Sequence, residues 1–117
     1  MPSLAIVCNG SENQNLYPTF VLGSAAAALE YEVTIFFTPG AVPALKPGVL
    51  ESIEAKGMPP MQELVNSLTA LGGKLVLCEL CLEAKDVALS DLREGLVVSG
   101  ATGFLSDIKD ATLTFSF

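Results

Sequence analysis

Cys8, Cys78 and Cys81 carry the most reactive side chains of this chain, and Cys78-Glu79-Leu80-Cys81 is a C-x-x-C motif. In a reduced α/β protein such a pair serves thiol chemistry, because a thiolate is the form that attacks a sulfur donor or a disulfide. The chain has no histidine. That excludes a Ser-His-Asp or Cys-His nucleophile pair within it, together with every His-containing zinc site. An activated thiol here must draw on backbone dipoles, a lysine or a partner protein. Cys8, Cys78 and Cys81 with Glu79 make a poor zinc set, since no second C-x-x-C accompanies them. Neither a metal nor a cofactor is expected. Each cysteine also has a plainer role open to it, as a small apolar core residue.

The other candidates are weaker. Asn9-Gly10-Ser11 is a short turn able to meet an anion, but G-x-G-x-x-G and G-x-x-x-x-G-K-[ST] are both absent. Glu12 and Glu79 suit either acid–base work or helix capping. Met58 and Met61 suit either the lining of an apolar pocket or ordinary packing. The residues singled out are Cys78 and Cys81 for catalysis, and Asn9, Gly10, Thr38, Met58 and Met61 for substrate binding.

These residues need elements to hold them. Leu4 to Cys8 is an apolar, partly β-branched run stopped by Asn9-Gly10, which reads as a buried strand and a turn. Gln14 to Leu29 reads as a helix with an alanine-rich tail, with Pro18 in its first turn. Glu32 to Thr38 is a second strand, stopped by Pro39-Gly40. Ala41 to Pro60 is irregular and proline-rich, with a short helix around Val49 to Ala55; so long a connection is usually functional. Met61 to Leu71 has helical spacing and ends at Gly72-Gly73. Lys74 to Cys78 is the third strand, and Glu79 to Lys85 opens another helix. Ser90 to Glu94 is a polar helical turn, Leu96 to Val98 a strand, Gly100 to Asp107 a helix, and Ala111 to Phe117 the last strand.

Strands alternating with helices imply an α/β domain with a mostly parallel sheet covered on both faces. Parallel sheets display active residues at the carboxyl ends of their strands. Cys8, Thr38 and Cys78 all fall there. A helix beginning just after Cys78 would offer free N–H groups to a thiolate. The Met58–Met61 segment would have to fold back to reach the same edge.

Composition narrows the function. The 117 residues fit one domain, 1–117. Half are hydrophobic and 16% charged, which excludes a disordered chain and leaves apolar surface for a partner subunit. Thirteen acidic against six scattered basic residues give a net charge of −7. No basic stripe exists to displace counterions from nucleic acid or to bind an anionic membrane. The N-terminal residues lack the positive region of a signal peptide, and no apolar run approaches the roughly 20 residues of a membrane span. A cytoplasmic address is expected.

With these residues in hand, the chain resembles the DsrE/DsrF-like family of small sulfur-relay proteins. The resemblance runs through LAIVCNGS, GSAAAALEYEVTIFFT, GMPPMQEL, KLVLCELCLE and GATGFLSDIKDATLTFSF. It implies a three-layer α/β/α fold with a five-stranded parallel sheet. It also implies homo-oligomers, trimers or hexamers, and a cysteine that carries persulfide or thiosulfonate sulfur. Cys78 matches that cysteine by position; no role for Cys8 carries over from the family. The expected function is a sulfur carrier or sulfurtransferase that takes sulfur from a donor and passes it from Cys78 to a partner protein's thiol. The rival readings are a thiol–disulfide module using Cys78 and Cys81, and a non-catalytic oligomeric binding subunit.

Overall fold

Val, Ile and Phe crowd the segment Glu32–Phe37, and side chains of that kind settle best on a pleated surface buried on both sides. The segment is strand β2, at the centre of a five-stranded sheet in the computed structural model, which describes residues 1–117. Its companions are β1 (Ser3–Cys8), β3 (Lys74–Cys78), β4 (Leu96–Ser99) and β5 (Leu113–Ser116). The order is β4-β3-β2-β1-β5, and every neighbouring pair is parallel. The α/β fold with a five-stranded parallel sheet is therefore as expected. Four helices connect the strands: α1 (Asn13–Ala28), α2 (Met61–Ala70), α3 (Leu80–Ala84) and α4 (Ala101–Asp107).

The register assigns side chains to faces. Cys8 pairs with Phe37 and Phe37 with Leu77, so these three point the same way. Leu4, Ile6, Val33, Ile35 and Leu75 share that face by the period-two rule, and α1 and α2 bury it. The ring of Phe20 on α1 lies 6.3 Å from that of Phe37. Gly23 permits the close fit: a Cβ there would stand 3.3 Å from Ile35 Cδ1 and 3.6 Å from Leu68 Cδ2. The opposite face carries Phe36, Val76 and Cys78. There α4 lays Phe104 flat on Phe36, with centroids 4.1 Å apart and planes 8° from parallel. β1 to β4 advance in one direction and β5 returns past β1 to the far edge. Right-handed crossovers then place α4 on the face opposite α1 and α2.

Three sequence readings change. Pro18 is not in the first turn of α1; the helix starts at Asn13 and contains it. It lies in the second turn, where its ring removes one backbone hydrogen bond, and the Thr19 hydroxyl donates to Asn15 O at 2.7 Å beside it. The connection after β2 is not loosely irregular, and no α-helix spans Val49 to Ala55. It forms 3-10 turns at Pro39–Leu45 and Leu50–Ser52. Ala41, Val42, Ala44, Leu45 and Leu50 are buried there, so apolar burial holds a segment whose prolines prevent a longer helix. Finally, α2 starts on the carboxyl side of the sheet and descends to β3. The Met58–Met61 segment thus reaches that side without folding back.

The connection is also tied down from outside. Arg93 N–H donates to Leu45 O at 2.8 Å, and the Arg93 guanidinium meets Glu51 Oε1 at 2.7 Å. These bonds fasten the segment after β2 to the one before β4.

Candidate functional site

Cys78 is the last residue of β3 and pairs in register with Ser99, the last of β4. It is 6% exposed and neighbours two exposed residues, Glu79 and Leu80. The chain leaves the sheet at once. Glu79 N–H still donates to Ser99 O at 3.0 Å, extending the ladder by one bond, and α3 begins at Leu80. This compact exit brings Cys81 back beside Cys78.

Cys81 is completely buried. Its thiol donates to Phe37 O at 3.6 Å and is close enough to Cys78 for the two to influence each other's charge. Burial, reinforced by the charge a Cys78 thiolate would carry, pushes the Cys81 thiol from 9.0 up to about 11. The two cysteines are therefore unequal. Cys81 stays protonated and fully enclosed at neutral pH, while Cys78 is buried but keeps a small exposed surface. The side chain of Glu79 lies over Gly100, where a Cβ would come 2.9 Å from Glu79 Oε1. Gly100 is the residue that opens α4. Ser99 and Gly100 thus flank the thiols, and the sequence reading did not single them out. The rule that placed Cys78 at a strand's carboxyl end applies equally to Ser99.

A second group sits at the ends of β1 and β2. The Thr38 hydroxyl donates to Asn9 Oδ1 and Thr38 N–H to Cys8 O, while Asn9 N–H donates to Phe117 O at 2.7 Å. Gly40 has no room for a side chain, because a Cβ would collide with the Asn9 carbonyl. Gly10 leaves space for the Asn15 side chain, which accepts from Glu12 N–H in the reciprocal cap of α1. Asn9, Gly10 and Thr38 hold the loop ends together, with Thr38 one residue from the Phe37 carbonyl that accepts from the Cys81 thiol.

Cys8 is not part of the thiol pair. β2 separates its strand from β3, and its side chain is on the opposite face. Its thiol donates to Gly10 O at 3.4 Å within the core. Met61 is fully buried at the start of α2, and Met58 is 39% exposed. No three Cys, Asp or Glu side chains gather as a metal site. The broad cleft of about 1080 Å³ includes Ser3, Glu32 and Lys74, the first residues of their strands, and does not include the thiols. No helix is long and apolar enough to cross a membrane.

Residues 3–117 match the model of the DsrE/DsrF-like family. The sulfur carrier protein DsrE2 of Allochromatium vinosum is 24% identical, over 86% of this chain and 89% of that protein. The uncharacterised protein MJ0760 of Methanocaldococcus jannaschii is 31% identical over 80% of this chain. The match spans only about a third, 34%, of the archaeal protein's length. Among solved structures, the YchN protein of Escherichia coli covers the whole of both chains, with a TM-score of 0.76 at 21% identity. MTH1491 of Methanobacterium thermoautotrophicum, of unknown function, covers 98% of this chain with a TM-score of 0.69 at 16% identity. These structures share the fold. A family match across almost the whole length, on a parallel sheet of the same architecture, identifies the chain as a member of the DsrE/DsrF-like family, a sulfur-relay family.

Proposed function

We propose that this protein is a cytoplasmic sulfur carrier that holds sulfane sulfur on Cys78 and hands it to a partner protein's thiol. The observation that carries the reading is the position of Cys78. It ends a parallel strand at the carboxyl edge, next to the exposed Glu79 and Leu80, with a protonated thiol beside it. The likeness to a protein named as a sulfur carrier supports the same reading.

Loading is a displacement. The Cys78 thiolate attacks the outer sulfur of a donor such as thiosulfate, the donor's S–S bond breaks, and sulfite leaves with its electron pair. An acceptor thiolate then attacks the outer sulfur of the Cys78 persulfide and restores the Cys78 thiolate. Burial of Cys78 would limit loss of the adduct to water. Exposed Val97, Leu105, Leu113 and Phe115 favour a homo-oligomer, a trimer or hexamer in keeping with the family resemblance.

Cyanide extraction tests the reading. After incubation with polysulfide and desalting, wild type and Cys8→Ser should each yield close to one thiocyanate per chain, and Cys78→Ser none. Sulfur held equally well by Cys78→Ser would overturn the assignment. A thiol–disulfide module is the second reading, favoured by the contact between Cys78 and Cys81. Under it, loss of Cys81 abolishes activity; under sulfur carriage, Cys81→Ser still loads.

A further inference from the structure

We propose that Cys81 ends the carrier state: it attacks Cys78 Sγ in the loaded site, closes a Cys78–Cys81 disulfide and expels the carried sulfur as a soluble anion. The inference rests on the reading of Cys78 as the loaded thiol, and adds a second fate for the cargo besides transfer to a partner.

The geometry that supports it is the placement of two thiols with different access. Cys81 is sealed from solvent, so no external donor or acceptor reaches it. Its one reactive neighbour is the sulfur of Cys78. When Cys78 is loaded, that sulfur becomes the inner atom of an S–S bond, and attack on it by Cys81 needs no movement of a partner. The C-x-x-C spacing across the strand–helix junction suits closure of a short disulfide loop. Cys8, on the other face, cannot substitute.

The step balances. Cys81 first loses its proton to solvent. Its thiolate forms a bond to Cys78 Sγ, the bond from Cys78 to the carried sulfur breaks, and that sulfur leaves with the electron pair. A persulfide releases hydrosulfide, and a sulfonate-capped sulfane releases thiosulfate. The two cysteines are oxidised to the disulfide, and the carried sulfur is reduced. A dithiol reductant resets the site. Burial sets the pace, because the attacking form is the thiolate and this thiol is pushed up to about 11. Near neutral pH roughly one Cys81 in ten thousand is ionised. Cargo therefore persists long enough to meet a partner before it is expelled.

Tetrathionate is a suitable probe, since it leaves a sulfonate-capped sulfane on a reactive thiol and its later expulsion needs no added proton. Reduced protein is treated briefly, desalted, and held at steps between about pH 7 and about pH 9 while intact mass and free thiosulfate are followed. The wild-type adduct should convert to a species two hydrogens lighter than the reduced protein, with one thiosulfate released per chain. The rate should rise about tenfold per pH unit. Cys81→Ser and Cys81→Ala should keep the adduct at every pH. A wild-type adduct that persists across the range, or one lost equally fast in the variants, overturns the proposal. Failure of Cys78 to form any adduct, seen at the first time point, instead overturns the carrier reading beneath it.

Discussion

At the scale of single residues, the site depends on what surrounds each thiol rather than on the cysteines alone. Cys81 has its proton held by burial and by Cys78, and this has a measurable effect on stability. Its folded value, about 11, is above the ordinary 9.0. Below 9.0 both folded and unfolded chains keep the proton, and the full stability is present. Between 9.0 and about 11 the unfolded chain releases it first, so stability must fall as pH rises through that window. Urea unfolding of wild type should show this alkaline loss, and Cys81→Ala should show less of it; identical alkaline profiles would contradict the assignment. Gly40 makes a second test. Its missing Cβ is the space the Asn9 carbonyl occupies, so Gly40→Ala should lower stability by about 1–3 kcal/mol, seen as a lower urea midpoint. Thiol chemistry was legible in the sequence from C-x-x-C and the absence of histidine. The separation of Cys8 was not, because a residue's face depends on sheet register, and register is set by partners far along the chain.

At the scale of elements, the thiols are held by a strand, a short helix and two fastened connections. The bounds of β3 were readable, since Lys74 and Gly73 stop an apolar run that ends at Cys78. The packing of Pro39–Leu45 was not. Its prolines read as breakers, while the burial of Val42 and Leu45 arises only once the sheet edge is present to receive them. The Arg93–Glu51 pair closes this connection, with the Arg93 side chain mostly buried and that of Glu51 about two-thirds so. Arg93→Ala should therefore cost about 1–2 kcal/mol in urea unfolding and speed amide hydrogen exchange in residues 39–52, with exchange in β1 unchanged. On the other face α4 is anchored by Phe104 stacked on Phe36. Phe104→Ala should cost about 3–5 kcal/mol in the same assay.

At the scale of the whole molecule, fold class followed from the alternation of apolar runs and helical spacing. Strand order did not, because the return to β5 is a property of the complete path and no local signal encodes it. That order leaves β4 and β5 as open edges, with Val97 on one and Leu113 and Phe115 on the other. Under the proposed homo-oligomer, a second copy of the chain covers these edges. Phe115→Glu and Leu105→Glu should each lower the molar mass measured by light scattering while leaving the circular dichroism unchanged; a monomeric wild type would remove this part of the account.

The central claim is that Cys78 bears the sulfur, and intact mass with peptide mapping tests it most directly. Protein incubated with polysulfide and digested without reductant should carry one added sulfur on the peptide containing Cys78, removable by dithiothreitol and absent in Cys78→Ser. Added sulfur found on the Cys8 peptide, or retained in Cys78→Ser, would contradict it.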